Sequence, residues 1–439
     1  MAGNRSPFQL CLDKKYDSFI KHPPNSAVML GFAEKLRDPL YKNSFFIMLS
    51  SITNAGFGFF FWMIAARLYS AEDVGIATAL WSSLVLIILL SRLGFDFSII
   101  RFFPNGDKSR ILSTSVVIST LFAIALGLLF VAKINIFSPK LHLLKNPLYA
   151  SIFLTTVLTY SVISLTAQSF IALRRGEFYF FQTVVQVSRI VVVFFLTFLG
   201  AMGIFGSFSL SLSLALIIAL LLINRMIGYS LSIDKSYIKE SFRFSAGNYF
   251  ANLFSFAPNQ ILPIMVLNLL GAEKAAYYYI AFAIARLIFM IPNAISMSLF
   301  VEGSHGESLR KIVFRSIVAI ACLLTPVIVF VYFLGSHILQ FFGKSYIQAF
   351  ELLRLFALSS FFVAIVYVYL AVKRVQIGVK NIIFLNSLTC LLLLLLSYLL
   401  IPKTGIVGVG YSWIISYSIG TLVVAYFLLR NIHKENEAY

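Results

Sequence analysis

Twelve long apolar runs, separated by short polar segments, organise the chain. They lie at 43–68, 75–100, 111–134, 148–173, 180–200 and 204–229, then at 244–270, 275–300, 311–334, 350–372, 381–401 and 405–430. A bilayer core takes ~20 apolar residues per helix, so each run predicts one membrane-spanning helix. Some connections hold only a few residues, such as Ala201-Met202-Gly203 and Pro402-Lys403-Thr404. Connections that short force neighbouring helices to be antiparallel. The pattern divides the chain into a segment 1–42, a six-helix lobe 43–230, a polar linker 231–243, a second six-helix lobe 244–430 and a tail 431–439. Within the first segment, 27–36 reads either as a short amphipathic helix on the membrane surface or as a tail leading into the first span.

The second six runs repeat the first. Ala71-Glu72 follows the first run and Ala272-Glu273 the seventh, an offset of 201. Gly203-Ile204-Phe205-Gly206 opens the sixth and Gly405-Ile406-Val407-Gly408 the twelfth, an offset of 202. Ala172-Leu173-Arg174-Arg175 ends the fourth and Ala371-Val372-Lys373-Arg374 the tenth, an offset of 199. One spacing kept by three landmarks points to an internal duplication of a six-helix unit. Six is even, so both copies have the same orientation and are related by an axis along the membrane normal, with a pathway between them. The predicted fold is an all-α integral membrane protein of twelve helices in two parallel six-helix repeats around a central cavity.

Composition agrees. The chain is 60% hydrophobic and 12% charged, against roughly 25% charged in soluble domains. The net charge of +18 resides in short loops, which makes it topology information rather than a nucleic-acid footprint. With the N-terminus cytoplasmic, the inner segments hold 24 Lys and Arg and the outer ones seven. That asymmetry predicts both termini inside and a plasma or inner-membrane location. Cys11, Cys322 and Cys390 form no metal or redox pair, and His22, His142, His305, His337 and His433 are scattered. No metal site and no cofactor are expected. No cleavable signal peptide is apparent.

Charges inside the runs carry the functional signal, because each costs ~2.5–3.5 kcal/mol on insertion scales. Four arginines remain after the loops are counted: Arg92, Arg189, Arg286 and Arg354. Arg189 and Arg286 fall near the middle of their runs, and neither has an acidic neighbour at helical spacing. Arg354 sits at a run's end and can snorkel. Asp96 is the one deep acid, four residues after Arg92. It reads as an ion-pair partner, or alternatively as a site for ion coupling. Several arginines with few carboxylates suit an anionic substrate, because a guanidinium grips phosphate bidentately. The seventh run adds Asn248, Asn252, Pro258, Asn259, Gln260 and Pro263, and the eighth Pro292-Asn293. Prolines predict broken helices there, and the amides suit sugar hydroxyls or interhelical hydrogen bonds. Asn54, with Gly56 and Gly58, lies at the corresponding place in the first run. The candidate substrate contacts are thus Arg92, Arg286, Asn252, Asn259, Gln260, Asn54 and Arg189. No phosphate loop, paired carboxylates or nucleophile constellation appears, and no enzyme activity is expected.

Several passages resemble polysaccharide flippases of the multidrug/oligosaccharidyl-lipid/polysaccharide exporter superfamily, in the O-antigen branch. They are Asn43-Ser44, Asn54-Ala55-Gly56-Phe57-Gly58-Phe59, and the stretch Ala65-Ala66-Arg67-Leu68-Tyr69-Ser70-Ala71-Glu72-Asp73-Val74-Gly75. Arg92-Leu93-Gly94-Phe95-Asp96, Ile100-Arg101-Phe102-Phe103-Pro104 and Leu270-Gly271-Ala272-Glu273-Lys274-Ala275 continue the resemblance. It implies two lobes in a V, a cavity lined mostly by spans 1, 2, 7 and 8, and alternating access. The implied substrate is a polyprenyl-(pyro)phosphate-linked oligosaccharide, flipped from the inner to the outer leaflet. Its phosphate would be held by Arg92 and Arg286, with Arg67 an exit contact or an interfacial anchor. A monomer in the lipid bilayer, working with glycan-assembly enzymes, is the accompanying expectation. The alternatives are a cation-coupled multidrug exporter and an integral-membrane glycan polymerase or ligase.

Overall fold

The computed structural model describes residues 39–437. The segment 27–36 lies outside them. Twelve described helices are long and apolar enough to span a membrane. Spans 1 to 6 are Tyr41–Leu68, Ala71–Ser91, Lys108–Ala132, Pro147–Ala172, Gly176–Phe195 and Ala201–Ile227. Spans 7 to 12 are Lys235–Leu270, Ala272–Ser304, Leu309–Gln340, Lys344–Val375, Val379–Thr404 and Val407–Arg430. The protein has one end where span 1 begins, rich in Lys and Arg and called the basic end below, and an opposite end where span 1 finishes.

The two halves use matching contacts. Span 1 packs on span 5 as span 7 packs on span 11, and span 4 on span 6 as span 10 on span 12. The halves meet along span 2, which touches spans 7 and 8. Span 2 is the most buried of the twelve, with 72% of its apolar window inside the protein, while only 17% of span 9 is covered. Small residues on span 2 permit this: Gly75, Ala77, Thr78, Ala79, Ser82 and Ser83 are all buried. In lipid, close backbone approach drives helix association because apolar burial does not.

Caps fix where the helices begin. Ser70 Oγ accepts from Asp73 N at 3.0 Å, and Asp73 Oδ1 accepts from Ala201 N at 2.9 Å. One carboxylate therefore ties the start of span 2 to the start of span 6. Burial, with Asp73 beside it, pushes the Tyr69 phenol up to about 12, so it remains a donor to Val193 O at 2.7 Å. Asp234 accepts from Ser236 N and Tyr237 N. Span 7 accordingly starts at Lys235, nine residues before the apolar run at 244.

Three expectations about helix continuity are corrected. Span 7 runs unbroken through Pro258 and Pro263, and span 8 through Pro292. All three prolines are buried against neighbouring elements, a setting in which a helix tolerates the lost backbone bond. Span 2, expected to reach residue 100, instead ends at Ser91 and continues as a separate short helix, Phe95–Phe102. The break is Leu93 at φ 49° and Gly94 at φ 84°. Glycine alone is at ease there, and a Cβ on Gly94 would sit 2.5 Å from Ser245 Oγ. Gly94→Ala is expected to lower the melting temperature of the purified protein by several degrees, as read by a thermal-shift assay; no change would show that this turn is free to adjust.

Candidate functional site

A cavity of about 820 Å³ opens the second half of the protein. Span 7 contributes Asn248, Asn252 and Asn259 to its wall, and span 8 contributes Phe282, Arg286 and Asn293. Span 10 adds Tyr367 and Arg374, span 11 adds Asn386, and span 12 adds Trp413 and Tyr417. The wall runs from Ile377 and Val379 at the basic end to Phe282 and Trp413 deeper in the membrane. From the first half only Phe97 reaches it. The resemblance implied a lining from spans 1, 2, 7 and 8. Spans 7 and 8 are present, but the rest of the wall belongs to spans 10, 11 and 12. Span 2 is excluded because its small-residue face is consumed by packing on spans 7 and 8.

The chemistry of the wall is cationic and amide-rich. Arg286 and Arg374 are exposed in it and make no hydrogen bond or ion pair among the described residues. Tyr367 lies within electrostatic reach of both. Five asparagines share the wall, and none of its residues is acidic. Asn386 is partly committed, donating to Ala251 O at 3.0 Å. Phe289 and Trp413 stack with centroids 5.0 Å apart and form an apolar side. Two free guanidinium forks beside amides form a receptor for a multiply charged anion with hydroxyl-rich groups attached.

The predicted residues divide into two sets. Arg286, Asn252 and Asn259 line the cavity together. Arg92, Asp96, Arg189, Asn54 and Gln260 do not. Arg92 Nη1 stands 3.9 Å from Asp96 Oδ2, across the turn that ends span 2. Asp96 is buried and opens the short helix 95–102. Arg189 is buried within the first half against the Phe61 and Phe208 rings. Asn54 is exposed on span 1, and Gln260 is half-buried on span 7. Arg354 is anchored by Glu351 at 2.8 Å and by the Phe350 ring. Sequence reasoning did not single out Arg374, because its position at a helix end made it look like a loop cation. It aligns with Arg175 in the repeat, and it faces the cavity.

The opposite end is closed by contacts between the halves. Arg67 Nε donates to Phe341 O at 2.7 Å and Nη2 to Gln340 O at 3.1 Å. Asn268 Nδ2 donates to Phe137 O at 3.0 Å, and Ser138 Oγ donates to Asn268 Oδ1 at 2.8 Å. Phe59 meets Phe342, and Trp62 meets Tyr279 with ring centroids 4.8 Å apart. At the basic end, span 7 is joined to the first half through Ser241–Ser98 at 2.6 Å and Tyr249 OH to Leu90 O at 3.0 Å. Span 1, by contrast, has few contacts with span 8. The halves are therefore joined at the opposite end, while the cavity wall reaches the basic end at Ile377 and Val379.

Comparison with known proteins fits this architecture. A putative O-antigen transporter of Shigella flexneri is 25% identical over 252 residues, covering 53% of this chain and 59% of that protein. An uncharacterized membrane protein of Methanocaldococcus jannaschii is 24% identical over 424 residues, covering 90% of this chain and 99% of that one. The fold is similar to that of the lipid II flippase MurJ in an inward closed conformation, with a TM-score of 0.72 at 15% identity over 87% of each chain. It is also similar to an inward-facing multidrug resistance MATE family transporter of the MOP superfamily, with a TM-score of 0.66 at 12% identity over 90% of this chain and 99% of the other. Residues 40–300, more than half of the chain, match the family described as polysaccharide biosynthesis protein, and the chain belongs to that family.

Proposed function

We propose that this protein moves a polyprenyl-(pyro)phosphate-linked oligosaccharide from the cytoplasmic to the outer leaflet by alternating access. The observation that carries the reading is the cavity wall: two unpartnered arginines and five asparagines, with no carboxylate among the described lining. A pyrophosphate would take Arg286 and Arg374, and the amides would take the first sugars. A volume of about 820 Å³ is ample for a headgroup and the proximal sugars. The sparse contact between spans 1 and 8 offers the prenyl chain a slot to the bilayer. The 24-to-seven distribution of Lys and Arg supports cytoplasmic termini in an inner membrane, with the cavity open to the cytoplasm. Alternation would occur between lobes 43–230 and 244–430, joined by linker 231–243.

The test is translocation of a fluorescent polyprenyl-pyrophosphate oligosaccharide in proteoliposomes, read by loss of protection from a membrane-impermeant quencher. Transport above protein-free vesicles is expected; none would overturn the reading. A second reading, cation-coupled multidrug export, has the likeness to MATE family transporters in its favour. Its natural coupling group is Asp96, which stands 3.9 Å from Arg92. Drug accumulation unchanged by the protein, under both proton and sodium gradients, is the outcome expected here; expulsion of drugs would favour the second reading.

A further inference from the structure

Arg189 is a membrane cation with no counter-charge. It is 8% exposed, and its Nε is buried without a partner. Its terminal nitrogens make no hydrogen bond or ion pair among the described residues either. Two aromatic faces flank it, with the guanidinium carbon 4.9 Å from the Phe208 centroid and 5.5 Å from that of Phe61, and Tyr160 and Tyr279 lie within electrostatic reach. Cation–π attraction recovers part of the desolvation cost, but a guanidinium has five donors and these remain unused. On span 1 its neighbour is Gly58, whose missing Cβ would lie 3.8 Å from Nη2. The side chain thus stands behind a glycine window. The window adjoins the seam between the halves: Trp62, one turn along, holds Tyr279 of span 8. Tyr279 is within electrostatic reach of both Arg189 and Arg286.

Building on the proposed flippase reading, we infer that Arg189 is a second station for the anionic headgroup, closed in this state and exposed when Trp62 parts from Tyr279. A ligand shifts a conformational equilibrium only by its differential affinity for the two states. Arg286 and Arg374 already face the open cavity, so binding to them alone stabilises the arrangement seen here. A phosphate-seeking guanidinium hidden behind the seam supplies the missing difference. The (pyro)phosphate gains Arg189 only if the halves rearrange, and the unused donors of Arg189 make that rearrangement favourable. The headgroup passes from the second half to the first, and the empty protein returns to the state in which Arg189 is covered.

The test uses the full chain with Cys11, Cys322 and Cys390 changed to Ser and spin labels at Ile136→Cys and Ile347→Cys. These exposed positions lie at the closed end, one in each half. The probe is farnesyl pyrophosphate, and the readouts are its affinity and the label-to-label distance distribution. The unsubstituted background should bind the probe and gain a longer-distance population. Arg286→Gln should weaken binding tenfold or more. Arg189→Gln should bind the probe within threefold of the background but lose the long-distance population, and flip labelled lipid at least tenfold more slowly. Arg189→Lys should restore part of the opening, which a purely packing role would not require. Gly58→Leu, which leaves Arg189 in place but fills its window, should behave as Arg189→Gln. Opening by Arg189→Gln equal to that of the background overturns the second station alone, as does a loss of affinity equal to that of Arg286→Gln. Failure of the background protein to bind the probe at all strikes the flippase reading, and the second station with it.

Discussion

Replacing Arg286 with Ala is expected to slow translocation of the lipid-linked oligosaccharide by about 10- to 100-fold while leaving the protein folded. The side chain is exposed in the cavity and unpartnered, so its removal orphans no protein group, and stability should change little. The loss falls on the substrate. A hydrogen bond to a charged group contributes about 1.5–3 kcal/mol, and each 1.4 kcal/mol is tenfold. Arg374→Ala should follow the same direction with a similar range. The double variant should fall short of the product of the two, because both guanidinium groups would grip one pyrophosphate and neighbouring contacts do not add. Arg286→Lys should lie between wild type and Arg286→Ala, since an ammonium keeps the charge but loses the planar fork. Initial rates in proteoliposomes, alongside melting temperatures, separate these effects. A wild-type rate for the double variant would remove the phosphate from this wall and leave the cavity without its proposed role.

The sequence made the helix count, the repeat and the even spacing of the loops legible, because a bilayer imposes one length on every span. It also made Arg286 legible, because a mid-membrane cation without an acidic neighbour stands out against an apolar run. What escaped depended on relations between distant helices. Arg374 looked like one of many basic residues at helix ends. Only the packing of span 10 against span 8, opposite the span 7–span 11 pair, turns it toward the same space as Arg286. The prolines of spans 7 and 8 suggested breaks, yet both helices are continuous. The breaks are at Leu93-Gly94, where the backbone takes positive φ, and at Val187-Ser188, where the bonds shorten to the third residue. A glycine inside a membrane run is ambiguous in one dimension, since close packing and a turn use the same residue. The same limit applied to Asp73. Its place in a recognisable motif gave no hint that it caps span 6, 128 residues away.

Gly75→Val is expected to abolish the closed state of the opposite end and with it transport. A Cβ on Gly75 would stand 1.8 Å from the carbonyl oxygen of Ala272 and 2.6 Å from its carbon. Both atoms belong to backbone where span 8 begins, so no side-chain rotation relieves the clash. The start of span 8 has to retreat from span 2 by an ångström or more. That movement pulls on the neighbouring contacts: the Arg67 bonds to Gln340 and Phe341, and the Trp62–Tyr279 pair. Packed interfaces are bistable rather than continuously deformable, so the halves should part at this end instead of flexing slightly. Moving a two-state equilibrium from 99:1 to 1:99 takes about 5.5 kcal/mol, and overlap with backbone at 1.8 Å exceeds what either helix can absorb in place. The labels at positions 136 and 347 should then report the longer distance without any substrate, and translocation should stop because the return step is blocked. Gly271 tolerates a Cβ without contact, but its φ of 93° makes Gly271→Ala a backbone-strain control. That variant should cost about 1–3 kcal/mol of stability while keeping the short distance and a measurable rate. If Gly75→Val keeps the short distance and transports at the wild-type rate, the seam between spans 2 and 8 is not the gate.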